Sequence, residues 1–163
     1  MKKHCVFAGT FDPPTIGHKS VVSESLKIFD SITVAVLVNP QKECMFTEEE
    51  RLKLLKKLFG GDDRVKVISF EGAAVDLLKK ENTPFYVRGV RDGMDYEYEN
   101  RNHYASKKLM PELVTVYIPA EQDEMFVSST LVRNSVKFKK DYTNYVPEEI
   151  SADVKKLLEA KNV

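Results

Sequence analysis

Short apolar or β-branched runs alternate with helical patterns from one end of this sequence to the other, and that alternation restricts the fold more than any other feature. His4 to Gly9 is an apolar-leaning run closing on glycine, and Ser31 to Val38 is a β-branched run. Neither shows the in-and-out periodicity of a half-exposed strand, so both read as strands buried on two faces, the signature of a parallel sheet. Between them Val21, Val22, Leu26, Ile28 and Phe29 fall near helical spacing. Strand, helix and strand already form a crossover unit.

The pattern continues. Thr47 and Glu50 make a capping box for a helix whose stripe is Leu52, Leu55 and Phe59, ended by Gly60-Gly61. Val65, Val67 and Ile68 predict a third strand, Ala73 to Lys80 a helix, Phe85 to Val87 a fourth strand, Tyr96 to Leu109 a helix, and Leu113 to Ile118 a fifth strand. Two helices follow, one from about Ser128 to Val136, the other opened by Pro147 with Ile150, Val154, Leu157 and Leu158 on one face. Right-handed crossovers arrange this order as an α/β, doubly wound, five-stranded parallel sheet with C-terminal helices. A length of 163 residues predicts one domain over 1–163, with the lysine-rich Lys137 to Asn144 segment as its plausible linker or solvated loop.

Charge narrows the partners. Lys and Arg total 25 and so do Asp and Glu, so the chain has no net positive field to hold a nucleic-acid duplex. Any phosphate must be met locally. Cys5 and Cys44 match no metal-ligand spacing and predict reduced thiols in a cytoplasm. The apolar stretch after Lys2 and Lys3 is too short for a signal core or a membrane span, which predicts a protein neither exported nor membrane-bound.

In an open parallel sheet, ligands bind beyond the carboxyl ends of the strands, so the chemistry belongs in the turns that leave them. The first turn, Gly9 to His18, contains neither GxGxxG nor GxxxxGK[ST], which excludes the dinucleotide fingerprint and the P-loop. Instead it sets His18 in the first turn of a helix, where the dipole favours a neutral imidazole able to donate to a phosphate. A lone histidine there reads more readily as a surface or capping residue, and it is the whole turn that favours the phosphate donor. Arg88-Gly89-Val90-Arg91 follows the fourth strand and carries two guanidinium forks suited to phosphate oxygens. Taken alone, it reads equally well as two arginines paired with Asp92, Asp95, Glu97 or Glu99. Val127-Ser128-Ser129-Thr130 opens a helix with free amides and three hydroxyls, of which ordinary capping accounts for one. Lys42, just past the second strand, supplies a movable charge on the same sheet edge.

Together GTFDPPTIGH (Gly9 to His18), Lys42 with MFTEEER (Met45 to Arg51), RGVRDGMDYEYE (Arg88 to Glu99), LMPEL (Leu109 to Leu113) and FVSSTLVR (Phe126 to Arg133) strongly resemble the bacterial phosphopantetheine adenylyltransferase family of the nucleotidyltransferase superfamily. The resemblance runs from about residue 4 to 160, and five motifs in the family's order make it specific. It implies a Rossmann-like nucleotidyltransferase fold and transfer of AMP from ATP to 4′-phosphopantetheine, giving dephospho-coenzyme A and pyrophosphate. It also implies His18, Lys42, Thr10 and Arg91 as catalytic residues. For ATP it implies Thr10, Phe11, His18, Gly89, Val90, Arg91, Glu99, Glu124, Met125, Phe126, Val127, Ser128, Ser129 and Thr130. For the acceptor it implies Thr10, Lys42, Ala74 and Arg88. Mg²⁺ is expected on the triphosphate with no dedicated protein cage, and the family's assembly implies a homohexamer.

The chain departs from the family's pattern at Glu43, where a second basic residue is usual, at Glu124, where an aromatic is usual, and at Ala73-Ala74, where bulkier apolar residues are usual. Two other readings compete. One is a different nucleotidyltransferase, acting on nicotinamide mononucleotide or on glycerol 3-phosphate with CTP, though those usually carry His where this chain has Thr15. The other is a nucleotide-binding module without catalysis.

Overall fold

In a computed structural model that describes residues Lys2 to Val163, the strands are β1 (His4–Gly9), β2 (Ser31–Val38), β3 (Val65–Glu71), β4 (Phe85–Val90) and β5 (Val114–Pro119). They form one parallel sheet in the order β3-β2-β1-β4-β5. The helices are α1 (Ile16–Ser25), α2 (Glu48–Phe59), α3 (Ala74–Lys80), α4 (Gly93–Lys107), α5 (Ser129–Lys137) and α6 (Glu148–Ala160).

Successive residues of β1 explain why its sequence lacks polar alternation. Cys5 and Phe7 enter a core with Val21, Val22, Leu55 and Phe59 of α1 and α2, while Val6 and Ala8 enter another with Val75, Leu77 and Leu78 of α3. Helices thus cover both faces, the doubly wound arrangement expected. A third core joins Leu54 of α2 to Val132 and Val136 of α5 and Ile150, Val154 and Leu158 of α6. The C-terminal helices are therefore packed against α2, and the loop after Lys137 connects elements that share this core.

Element boundaries moved where capping outweighed periodicity. The first helix stops at Ser25, and Leu26 to Phe29 turn back through bonds such as Phe29 N to Ser25 O at 2.8 Å. The fourth begins at Gly93, because the Asp92 side chain accepts from the Asp95 amide and caps it. Arg88, Gly89 and Val90 lie inside β4, correcting the expectation that they follow it; pairing with β5 continues through Val90↔Pro119. Among the described residues no helix is long and apolar enough to cross a membrane. Cys5 and Cys44 are both free thiols, the first buried.

Candidate active site

The strand order reverses at β1, and there the sheet opens. With β2, β1 keeps register from His4↔Ser31 to Gly9↔Val36, but with β4 it pairs only at Val6↔Tyr86 and Phe7↔Val87. Past that point β4 stays with β5 and parts from β1. The gap is a cleft of about 330 Å³, within the range of small-molecule sites. Arg88 bridges its floor: Nη1 donates to the carbonyl of Ala8, the first residue past the last shared register, at 2.5 Å.

His18 forms part of the wall and is the third residue of α1. The Thr15 side chain caps the helix by accepting from the His18 amide at 3.4 Å, while the Thr15 amide donates to His18 Nδ1 at 3.0 Å. A backbone N–H can only donate, so Nδ1 must be an acceptor, and a neutral ring then carries its proton on Nε2. Burial, with the charges of Arg88 and then Arg91, lowers the His18 pKa to about 4. The imidazole is neutral as expected, with desolvation as the first cause and the two guanidiniums adding to it. No side chain or backbone group bonds Nε2 among the described residues, which leaves one donor aimed from the cleft wall.

Lys42 reaches the same wall, its Nζ donating to Thr10 Oγ1 at 3.0 Å. Three groups that sequence reasoning left out hold this pair, two of them buried and Arg133 half-buried. Asp12, only 3% exposed, accepts the amides of Met45 and Phe46 at 2.9 and 2.8 Å, fastening the Lys42 loop to the first turn. Arg51, only 4% exposed, donates to the Thr10 carbonyl at 2.7 Å and to the Phe46 carbonyl at 3.1 Å. Arg133 on α5 donates to the Asp12 carbonyl at 2.7 Å. A signal for Arg51 was present: it lies four residues before Leu55, so a charge sits on the apolar stripe and needs buried partners. Asp12 is likewise the one acid in a turn otherwise built of apolar and small residues. For Arg133 we find no sequence signal.

Of the two readings of the arginine segment, the pairing with carboxylates is the one the structure displays. Arg88 and Arg91 line the cleft, yet each is paired: Arg88 with Glu99 through Nε at 2.9 Å and Nη2 at 2.7 Å, Arg91 with Asp95 through Nε at 2.8 Å and Nη2 at 3.1 Å. With Nη1 on Ala8 O and Tyr86 Oη, Arg88 keeps one N–H unbonded, so the fork expected to grip a phosphate is occupied by Glu99. Arg91 keeps both N–H groups of Nη1, and its bonds hold the Asp95 carboxyl below its ordinary range. Gly89 is fixed by packing, because a Cβ there would stand 2.7 Å from Val21 Cγ2. The three hydroxyls divide the labour at the start of α5. Ser128 caps by accepting from the Leu131 amide at 3.0 Å, Ser129 donates to the Pro13 carbonyl at 2.8 Å, and Thr130 accepts from Arg133 at 3.1 Å.

The cleft therefore gathers Thr10, Phe11, His18, Lys42, Arg88, Gly89, Val90, Arg91, Glu99, Glu124, Val127, Ser128, Ser129 and Thr130 from segments far apart in sequence. It does not gather three others. Met125 and Phe126 are exposed outside the wall, with Phe126 edge-on to Tyr145, and Ala74 sits half-buried at the start of α3. Ala74 opens the helix whose next residue, Val75, packs with Val6 and Ala8 on one face of the sheet, and it is not among the residues that line the cleft. A roomier groove of about 530 Å³ between α2 and α6 is lined by charges that pair with one another, as Lys57 with Asp153 and Lys53 with Glu49.

Comparison with known proteins shows the family. The sequence profile of the Cytidylyltransferase-like family matches residues 6–135. The phosphopantetheine adenylyltransferase of Thermotoga neapolitana is 41% identical over 157 residues, covering 96% of this chain and 98% of the relative. That of Leptospira biflexa is 37% identical, covering 92% and 94%. The chain belongs to the phosphopantetheine adenylyltransferase family. A solved structure from Vibrio parahaemolyticus, provisionally described as a nicotinate-nucleotide adenylyltransferase, superposes with a TM-score of 0.70 at 25% identity, covering 99% of this chain and 94% of that one. Family and fold thus place the chain within the nucleotidyltransferases.

Proposed function

We propose that the chain transfers the adenylyl group of ATP to 4′-phosphopantetheine, forming dephospho-coenzyme A and pyrophosphate. The observation that carries this reading is the convergence, at the β1/β4 opening, of one unpaired imidazole donor, a lysine, the free edge of Arg91 and the N-termini of α1 and α5. Such a set neutralises and orients phosphates; it offers no activated protein nucleophile. Direct displacement needs none.

A phosphate oxygen of the acceptor attacks the α-phosphorus of ATP. That O–P bond forms as the bond from the α-phosphorus to the oxygen bridging it to the β-phosphorus breaks, and pyrophosphate departs with that electron pair. His18 Nε2–H donates to an α-phosphate oxygen as charge builds on it. Lys42, steadied on Thr10, bridges the incoming oxygen and the α-phosphate. Arg91 and the α5 amides and hydroxyls receive the β- and γ-phosphates. Arg88 meets the acceptor phosphate with its remaining N–H, or with its fork once Glu99 lets go.

Mg²⁺ enters as part of the substrate. Among the described residues no group of three His, Cys, Asp or Glu side chains forms a metal cage, and Asp12, Asp95 and Glu99 in the cleft are engaged by protein donors. The triphosphate itself supplies the ligands for its ion.

We also propose a homohexamer. Its support here is α4, fifteen residues long with none buried, which leaves Met94, Tyr98 and Tyr104 exposed. Light scattering should give the mass of six subunits, and a monomer would refute it. The substrates and the free thiols fit a cytoplasmic enzyme.

The test of function is pyrophosphate release coupled to detection of dephospho-coenzyme A, with ATP, Mg²⁺ and 4′-phosphopantetheine. Formation of both products supports the reading. Turnover with nicotinate or nicotinamide mononucleotide, but not with this acceptor, would overturn it, as would ATP binding with no turnover on any acceptor.

A further inference from the structure

Four carboxylates line the cleft: Asp12, Asp95, Glu99 and Glu124. Three of them face a cation, Asp12 with Arg133, Asp95 with Arg91 and Glu99 with Arg88. Glu124 faces none. It stands at the end of a 3₁₀ turn beyond β5, and its Oε2 accepts only the hydroxyl of Ser20 on α1, at 2.8 Å. An anion without a counter-ion is misplaced beside a triphosphate, because like charges at short range disfavour each other. The part of a nucleotide that suits Glu124 is one that carries hydrogen-bond donors and no charge.

Its surroundings point to the base. Gly89 and Val90 on β4, Pro119 and Ala120 after β5, and Val127 wall this end of the cleft with small or apolar surface, a slot suited to a flat ring. Backbone alternatives are partly closed, since the Val127 amide donates to the Glu124 carbonyl at 2.9 Å. Ser20 pins one carboxylate oxygen at 2.8 Å, so Oε1 is left as the acceptor with no protein partner among the described residues. That edge complements one exocyclic amino group.

Resting on the adenylyl-transfer reading above, we infer that the Glu124 side chain is a specificity-determining residue that accepts from the 6-amino group of adenine, with Ser20 setting its orientation.

The probe is purine-riboside triphosphate, which matches ATP in shape and charge but lacks the 6-amino group. Binding is measured by calorimetry with Mg²⁺ and no acceptor, so the result does not depend on turnover. The intact chain should bind ATP about 10-fold or more tightly than the probe, the scale of a hydrogen bond to a charged group. In Glu124→Ala that ratio should fall below about 3-fold while binding of the probe itself changes little. Ser20→Ala should give an intermediate ratio. An ATP-to-probe ratio that stays the same in Glu124→Ala overturns the inference. So does a Glu124→Ala variant that loses only its discrimination against 3′-deoxy-ATP, which would assign the carboxylate to the ribose. Either result leaves the adenylyl-transfer reading standing if wild type still forms dephospho-coenzyme A, so the two fail separately.

Discussion

Two histidines stand at opposite ends of β1, and the difference between them separates a structural network from a site. His4, at the N-terminal edge, has Nδ1 2.8 Å from Ser31 Oγ and Nε2 3.0 Å from Thr33 Oγ1. Thr33 donates its one hydrogen to Glu81 at 2.7 Å, so it accepts from His4 Nε2–H, and the ring carries the same tautomer as His18. Lys66 then closes the network on both oxygens of Glu81, at 2.8 and 2.9 Å. Every polar atom of this cluster is answered within the protein. At the other end the same tautomer presents Nε2–H to a cleft with no protein acceptor. Residue type and charge state match; what differs is that one donor is left for a ligand.

The largest expected effect breaks the pair apart. His18→Ala should lower kcat by about 10²-fold or more, the scale of one lost transition-state donor, with a smaller change in KM. His4→Leu should leave kcat within about twofold and instead lower stability by about 1–3 kcal/mol through the orphaned Ser31 and Thr33 partners, read from urea unfolding. Comparable losses of kcat in both variants would erase the distinction.

Next is Asp12→Asn. The amide keeps one acceptor but turns N–H groups toward the Met45 or Phe46 amide, so the Lys42 loop loses its fixed seat. A shift of about 1 Å at a reacting group can cost on the order of 10²-fold, and we expect about a 10-fold loss in kcat with little change in KM. Placing the same change in a Lys42→Ala background should shrink that loss, because the two residues act as one unit. Full additivity would show that Asp12 works through something other than Lys42.

Proton linkage gives a finer contrast. With a pKa near 4, His18 is already neutral throughout the physiological range, so kcat/KM should show no inflection from this residue between pH 8 and 5. An inflection near 6.5 that disappears in His18→Asn would contradict the assignment. For stability the sign follows from both lowered values: burial lowers His4 as well as His18 below 6.5, so the unfolded chain binds more protons than the folded one in that window. Their contribution is complete above pH 6.5 and declines as pH falls toward the folded values. Unfolding midpoints at pH 7.5 and 5.5 should differ less in His4→Leu than in wild type.

Much of the fold was legible because its signals are local and repeated. β1 and β2 announced burial on two faces by lacking polar alternation, and Thr47 with Glu50 announced a helix start that the structure keeps. The site was legible in its residue types, since the turns after β1, β2, β4 and β5 each carried phosphate-suited groups. Pairing was not. Glu99 on Arg88, the arginine clamps on the first turn, and Ser129 on Pro13 join residues 11 to 121 positions apart, and no periodicity encodes them. The sequence likewise could not say that Phe126, beside the serine cluster, turns outward to Tyr145 instead of toward the cleft.

The most direct test of the account is a crystal structure of this chain with Mg²⁺ and a non-hydrolysable ATP analogue. It should show the triphosphate in the β1/β4 opening, His18 Nε2 within hydrogen-bond distance of an α-phosphate oxygen, and Thr15 still on Nδ1. A nucleotide bound elsewhere, or one whose α-phosphate lies away from the His18 ring, would contradict it.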